Sequence, residues 1–232
     1  MGTAWRRSSL SDMSNYILLI AVLAVLVIGA VKGYTKGFLR LAVWFAGLIA
    51  VLFIVTKISP YVSDFLINNT TINENIRKNI ITAYENKYVE DGTMDSLGFP
   101  ELITDSIESD GGVSLYDRIA ITIFTDYISG YLSTLAVKAG TFAGLFILLA
   151  VAEFILIMAI KILEKIPVLR TFNKLLGMAC GITLSLVLVW VFFIAVMMFF
   201  GHSFGNWVFA QVKSSVFLSY LFNNNILFEL VK

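Results

Sequence analysis

The sequence predicts an all-α protein, a polytopic membrane bundle of four transmembrane helices. Amphipathic helices are expected in a large loop and at the C-terminus. Three observations carry that prediction. Of 232 residues, 58% are hydrophobic and 14% charged, whereas soluble domains hold about a quarter charged residues. Four apolar runs approach bilayer length. Between the second and third, apolar residues recur every fourth position, the spacing of a helical stripe. One water-surrounded core cannot hide this much apolar surface, so lipid must be the solvent for part of the chain. The net charge of +1 gives no general attraction to nucleic acid, and no nucleic-acid partner is expected.

A spanning helix takes about 20 apolar residues, because the hydrocarbon core is about 30 Å thick and each residue rises about 1.5 Å. Residues 1–15 read as a flexible leader. Arg6 and Arg7 ahead of an apolar run resemble an export signal, but no small-residue cleavage site follows and Lys32 closes the run. The first span is therefore placed at 16–31 and the second at 38–55. Only a few residues around Gly33 separate them, which predicts a tight antiparallel hairpin whose glycines let the two helices approach closely.

Residues 56–135 form the one long loop, with twelve acidic and five basic residues, a balance of −7. Ile72, Ile76, Ile80, Tyr84 and Tyr88 make one stripe; Leu115, Ile119, Ile123, Tyr127 and Tyr131 make another. Glu90-Asp91-Gly92 and Asp110-Gly111-Gly112 read as turns. Two or three amphipathic helices, folded on the membrane surface or on each other, are expected here. The third and fourth spans follow at 139–160 and 175–200, separated by Pro167, which breaks the helix. Asn173 is expected to cap the fourth span. Residues 201–232 alternate apolar and polar, with Trp207, Phe217, Tyr220 and Phe222 prominent. That pattern suits a segment lying in the membrane interface. The three asparagines from Asn223 to Asn225 are expected to end a helix.

Orientation follows from basic residues near the span ends. The first turn and its flank hold Lys32, Lys36 and Arg40; the third connection holds Lys161, Lys165, Arg170 and Lys174. With four spans these two connections share a side, and the opposite side has only Arg6 and Arg7 beside the acidic loop. Both short turns are therefore expected in the cytoplasm. The N-terminus, the long loop and the C-terminus are expected outside it.

Small residues recur at fourfold spacing in every span. Gly29, Gly33 and Gly37 flank the first turn, Gly140 and Gly144 open the third span, and Gly177 and Gly181 open the fourth. Ala42, Ala46 and Ala50 give the second a similar stripe. Lipid tails are as apolar as leucine, so close backbone approach over small residues, not water-driven burial, holds such helices together. Packing within the bundle or between copies of the chain is the expected role; lining a path is the alternative.

Glu153 is the ionisable residue deepest in a span. A charged carboxylate there costs several kcal/mol, so it is expected to be protonated, paired or facing water. It reads either as a proton or ion relay or as a neutral acid bonded to Ser185, Thr183 or a neighbouring carbonyl. No GxSxG, HExxH, P-loop or CxxC motif occurs. A single histidine, His202, and a single cysteine, Cys180, cannot assemble a zinc site. No catalytic residue, metal or cofactor is expected.

The stretch Gly33-Tyr-Thr-Lys36-Gly37-Phe38-Leu-Arg40, followed by a span containing Trp44, resembles the colicin V production protein (CvpA) family. So does Asn173-Lys-Leu-Leu-Gly177-Met-Ala-Cys-Gly181 at the opening of the last span. The two motifs stand in the family's order and on the matching spans. Family members often place an arginine and a third glycine beyond the second motif, where this chain has Leu184 and Ser185. Its acidic loop also exceeds that of short members. The resemblance implies a bacterial inner-membrane protein that supports production or export of a peptide toxin and envelope homeostasis. Its partners would be the lipid bilayer and further copies of itself or other membrane and secretion proteins. A small oligomeric channel or transporter subunit is the alternative expectation.

Overall fold

The computed structural model describes residues 16–91, 93–109, 123–159 and 170–231. Among them the backbone forms eight α-helices and no strand. Helix α1 (Ile17–Lys36) and helix α2 (Phe38–Asn69) are separated by Gly37 alone. At φ +79° Gly37 occupies the left-handed region that reverses the chain without a Cβ penalty. Its N–H still donates to the Gly33 carbonyl at 3.0 Å, completing the last turn of α1. Then come α3 (Ile72–Asp91), a 3₁₀ turn (Met94–Leu97) and α4 (Glu101–Ser109). A π-turn (Ile123–Ile128) leads into α5 (Ser129–Ala159). After α6 (Arg170–Val196), the chain forms α7 (Ser203–Ser214), α8 (Val216–Asn223) and a 3₁₀ turn (Ile226–Leu230).

Among the described residues, four helices are long and apolar enough to cross a membrane: Ile17–Lys36, Leu41–Asn69, Phe124–Leu156 and Phe172–Phe199. The chain is thus a multi-pass protein suited to a lipid bilayer, with much of each helix's apolar surface facing outward. Pairing within the bundle departs from the expected hairpin. Helix α1 packs chiefly on α6 and α2 on α5, while α1 and α2 touch little. The glycines of α1 therefore do not bring the first two spans together. The reason is steric: their bare faces point at the glycines of α6.

Two spans also run well beyond the apolar stretches. Helix α2 continues through Pro60 to Asn69, and α5 begins ten residues before 139. Their extensions stay packed, with Ser59, Ser63, Leu132 and Ala136 buried. A head of shorter helices is built on them. The expected stripe on α3 is present: Ile76, Ile80, Tyr84 and Tyr88 are buried, and Ile72 at its start is exposed. The second stripe's Leu115 and Ile119 lie outside the described residues, as do the leader, Gly92 and Asp110-Gly111-Gly112. Tyr127 and Tyr131 are half-buried.

The C-terminal segment is more than a surface layer. Val208, Phe209, Val212, Leu218, Phe222 and Phe228 are fully buried in the head core. Phe99, Phe200, Phe209, Phe222 and Phe193 form a continuous run of ring contacts with centroids 5.3–6.3 Å apart. Such pairs add about 0.5–1.5 kcal/mol each beyond their burial. Asn224 ends α8, as the asparagine run predicts.

Polar bonds tie α3 to both neighbours. The Arg77 guanidinium donates to the Thr125 carbonyl at 2.6 Å and to Ser129 Oγ at 3.2 Å. The Tyr84 hydroxyl donates to Asn206 Oδ1. Tyr84 is 2% exposed, and burial pushes its phenol from the usual 10.0 up to about 12, with a smaller opposing effect from the Gly201 backbone. The folded chain therefore holds this proton more tightly than the unfolded chain. The stability linked to it is complete below pH 10 and is lost as pH rises through about 12. Thermal unfolding of the detergent-solubilised protein should fall over that window, and Tyr84→Phe should remove part of the fall. Parallel alkaline profiles for the two proteins would contradict this account.

Candidate functional site: the glycine seam

The two glycine motifs, far apart in sequence, are the two faces of one contact. A Cβ placed on Gly33 would stand 2.1 Å from the Gly177 carbonyl oxygen. On Gly29 it would lie 2.6 Å from the Gly181 carbonyl oxygen, and on Gly181 it would lie 2.2 Å from that of Gly29. On Gly37 it would meet the Asn173 carboxamide at 2.3 Å. Positions rise along α1 as they fall along α6, so the helices run antiparallel with glycines matched every fourth residue. Ser185 closes the series, its Oγ donating to the Gly181 carbonyl at 2.9 Å. That hydroxyl stands where a Cβ on Gly29 would be, 1.8 Å away. At Gly33, Gly177 and Gly181 the three atoms nearest an added Cβ are all backbone.

Asn173 is placed differently from expectation. Asn173 lies inside helix α6 (Arg170–Val196) and is not its cap. Its carboxamide instead seats against Gly37. This contact sets Gly37, between α1 and α2, beside the opening turns of α6. Basic groups gather there. Lys36 closes α1, Lys32 lies one turn earlier, and Lys174 Nζ stands 5.3 Å from the centre of the Tyr34 ring. Phe38, half-buried, starts α2. Lys161, Lys165 and Pro167 lie outside the described residues.

The remaining small residues do not join this seam. Gly140 of α5 makes room for Met198, whose Sδ would be 2.0 Å from an added Cβ. Around Gly144 nothing lies within 4 Å of such an atom. Ala46 and Ala50 face outward. Packing therefore uses Gly140 but leaves Gly144 unoccupied.

Glu153 sits on a separate seam, between α5 and α2. Its Oε1 would be 1.9 Å from a Cβ on Gly47, so that glycine leaves the space the carboxyl occupies. Trp44 and Phe154 pack beside it with ring centroids 5.2 Å apart. The expected bonds to Ser185 and Thr183 are not made. Both hydroxyls donate within α6, to the carbonyls of Gly181 and Ala179. Their helix faces α1 at that point, and Glu153 faces α2. Glu153 Oε1 is buried with no hydrogen-bond partner.

Gly47 and Met198 were not singled out in the sequence. Gly47 could have been, as a glycine one residue beyond the Ala42-Ala46 stripe, but nothing marks it as Glu153's neighbour. The described residues contain no group of three His, Cys, Asp or Glu side chains placed to hold a metal. No protein-family model, curated protein or solved structure matches this chain.

The seam makes a direct test. Gly33→Ala forces a Cβ into a backbone carbonyl and should destabilise by about 1–3 kcal/mol, the usual cost of overpacking. Gly144→Ala meets open space and should leave stability unchanged or raise it by up to about 1 kcal/mol through helix propensity. Thermal unfolding in one detergent reads both. Equal losses would remove the seam as the reason for the glycines.

Proposed function

We propose that this chain is a non-catalytic multi-pass protein of the bacterial cytoplasmic membrane, of the colicin V production type. It supports production or export of a toxin peptide and envelope homeostasis through contacts with other proteins. One observation carries the reading. Gly33, Gly37, Asn173, Gly177 and Gly181, on which the resemblance rests, meet in a single backbone seam. Motifs that occur together because they pack together make a fold signature, which is what a family of non-enzymatic membrane proteins would share. Lys32, Lys36 and Lys174 at the seam's lower end support a cytoplasmic placement of that end. The head, the N-terminus and the C-terminus then lie outside the cytoplasm, where the acidic head surface is available to partners or to further copies of the chain.

A second reading, a small oligomeric channel or transporter subunit, draws on Glu153. A buried carboxyl oxygen without a partner is what a proton or cation path would use. The glycine seam is closed by direct backbone contact, so a path would run beside Glu153 on the α2–α5 side.

Restoration of toxin export and envelope integrity in a strain lacking the gene tests the first reading, with Glu153→Gln alongside wild type. Equal rescue by both, with no ion or solute flux from liposomes, is the expected result. Flux that is lost in Glu153→Gln would replace the first reading with the second. A reporter active only in the cytoplasm, fused after Lys232, should stay silent; activity would reverse the orientation.

A further inference from the structure

We infer that helix α8 and the turn after it form a foot that enters the lipid on the head side of the bundle, with Val216, Phe217, Tyr220 and Ile226 against acyl chains and headgroups. Helix α8 is pinned to the flank of α6 at a known level. Trp190 Nε1 donates to the Leu221 carbonyl at 3.0 Å, and Asn225 Nδ2 donates to the Trp190 carbonyl at 3.1 Å. The Phe222 ring lies 5.3 Å from that of Phe193. Neighbouring residues of α6, Leu188, Val189 and Phe192, share an apolar groove with Leu18, Ala21, Val22 and Val25 of α1. The foot is therefore level with the opening turns of α1. That helix has 20 residues, about 30 Å at about 1.5 Å each, barely enough to cross the hydrocarbon core. Its opening turns must lie within the apolar layer, and α8 stands beside the same layer.

The composition of α8 agrees. In Val-Phe-Leu-Ser-Tyr-Leu-Phe-Asn, Ser219 and Asn223 share the outward side with Val216 and Tyr220, and both are bonded within the protein. Asn223 Nδ2 donates to Glu101 Oε2 at 3.0 Å and reaches Ser219 Oγ at 3.4 Å, while Asn223 Oδ1 accepts the Leu102 N–H at 3.2 Å. Leu218 and Phe222 fill the core behind the helix. On the opposite face Val216 is 90% exposed, Ile226 68% and Tyr220 66%. A face that mixes the exposed Val216 with a tyrosine and hydrogen-bonded polar side chains suits the headgroup level, where one side of the helix meets acyl chains and the other polar groups. Leu188 and Phe192 of α6 and Ile17 and Ile20 of α1 are exposed at the level of that same groove, on helices apolar enough to face lipid. Lipid is thus the occupant. The foot ties the head to the bilayer beside α6 and limits its tilt.

Single cysteines read this depth in the full-length chain. In a Cys180→Ala background, Val216→Cys and Tyr220→Cys are labelled with a small fluorophore and reconstituted in phosphatidylcholine nanodiscs, one chain per disc. Leu148→Cys serves as the lipid reference and Glu90→Cys as the water reference. Both foot labels should lose most of their emission to brominated phosphatidylcholine, like Leu148→Cys, and resist aqueous iodide. Quenching by iodide as at Glu90→Cys would place the foot in water and overturn the inference. Resistance to both quenchers would put protein over it and also overturn it. The side chain at 216 projects into open space, so labelling there displaces nothing; matching circular dichroism of each variant confirms the fold.

Discussion

The bundle depends on the backbone contact between α1 and α6. Within lipid, burying an apolar side chain against another gains little, because the displaced acyl chain was equally apolar. What remains is dispersion between atoms brought closer than side chains normally allow. Gly29 and Gly33 on one helix, Gly37 just beyond its end, and Gly177 and Gly181 on the other supply that closeness at matched levels. The first and last spans are thereby joined directly. Helix α2, released from its sequence neighbour, packs on α5 instead. One seam thus decides the pairing of all four helices.

It also explains how the head can be continuous with the spans. With α1 and α6 locked, α2 and α5 continue beyond the apolar layer side by side and become its scaffold. Arg77 then ties α3 to the base of α5, and the phenylalanine run from Phe193 to Phe99 links α6, α7, α8 and the segment before α4. These parts come from both ends of the sequence. The head core closes only when residues after 200 have returned to it, which makes it a unit built across the bundle and not an inserted domain.

Composition and run length were enough to read the four spans, since lipid imposes a minimum apolar length. The α3 stripe was equally legible because one of its faces meets water, so burial leaves a fourfold signature. Partner choice was not legible. In lipid both the packed and the exposed faces of a span are apolar, and a glycine series shows that a surface is close-packed without saying to what. Asn173 looked like a cap because it stood near a proline-bounded start, whereas the helix begins earlier and its carboxamide fills space at Gly37. Residues 201–232 read as an interfacial layer from their alternation alone. That alternation records two surroundings, the head core behind Leu218 and Phe222 and a different one outside Val216 and Tyr220.

Separation of the two seams bears on what the small residues are for. Had the glycines faced a central space, packing and passage would be carried by the same positions, and neither could change without the other. Here the α1–α6 seam is filled by backbone, and the polar element stands across the bundle, where Gly47 gives its side chain room against Glu153. A carboxyl with a buried, unpartnered oxygen is costly in an apolar setting. Nothing about the α1–α6 contact requires it, because the glycines close that contact alone. The carboxyl is therefore no part of the main seam: Gly47 on α2 sets the room it occupies, and changes at Glu153 and in the α1–α6 glycines act on different helix contacts.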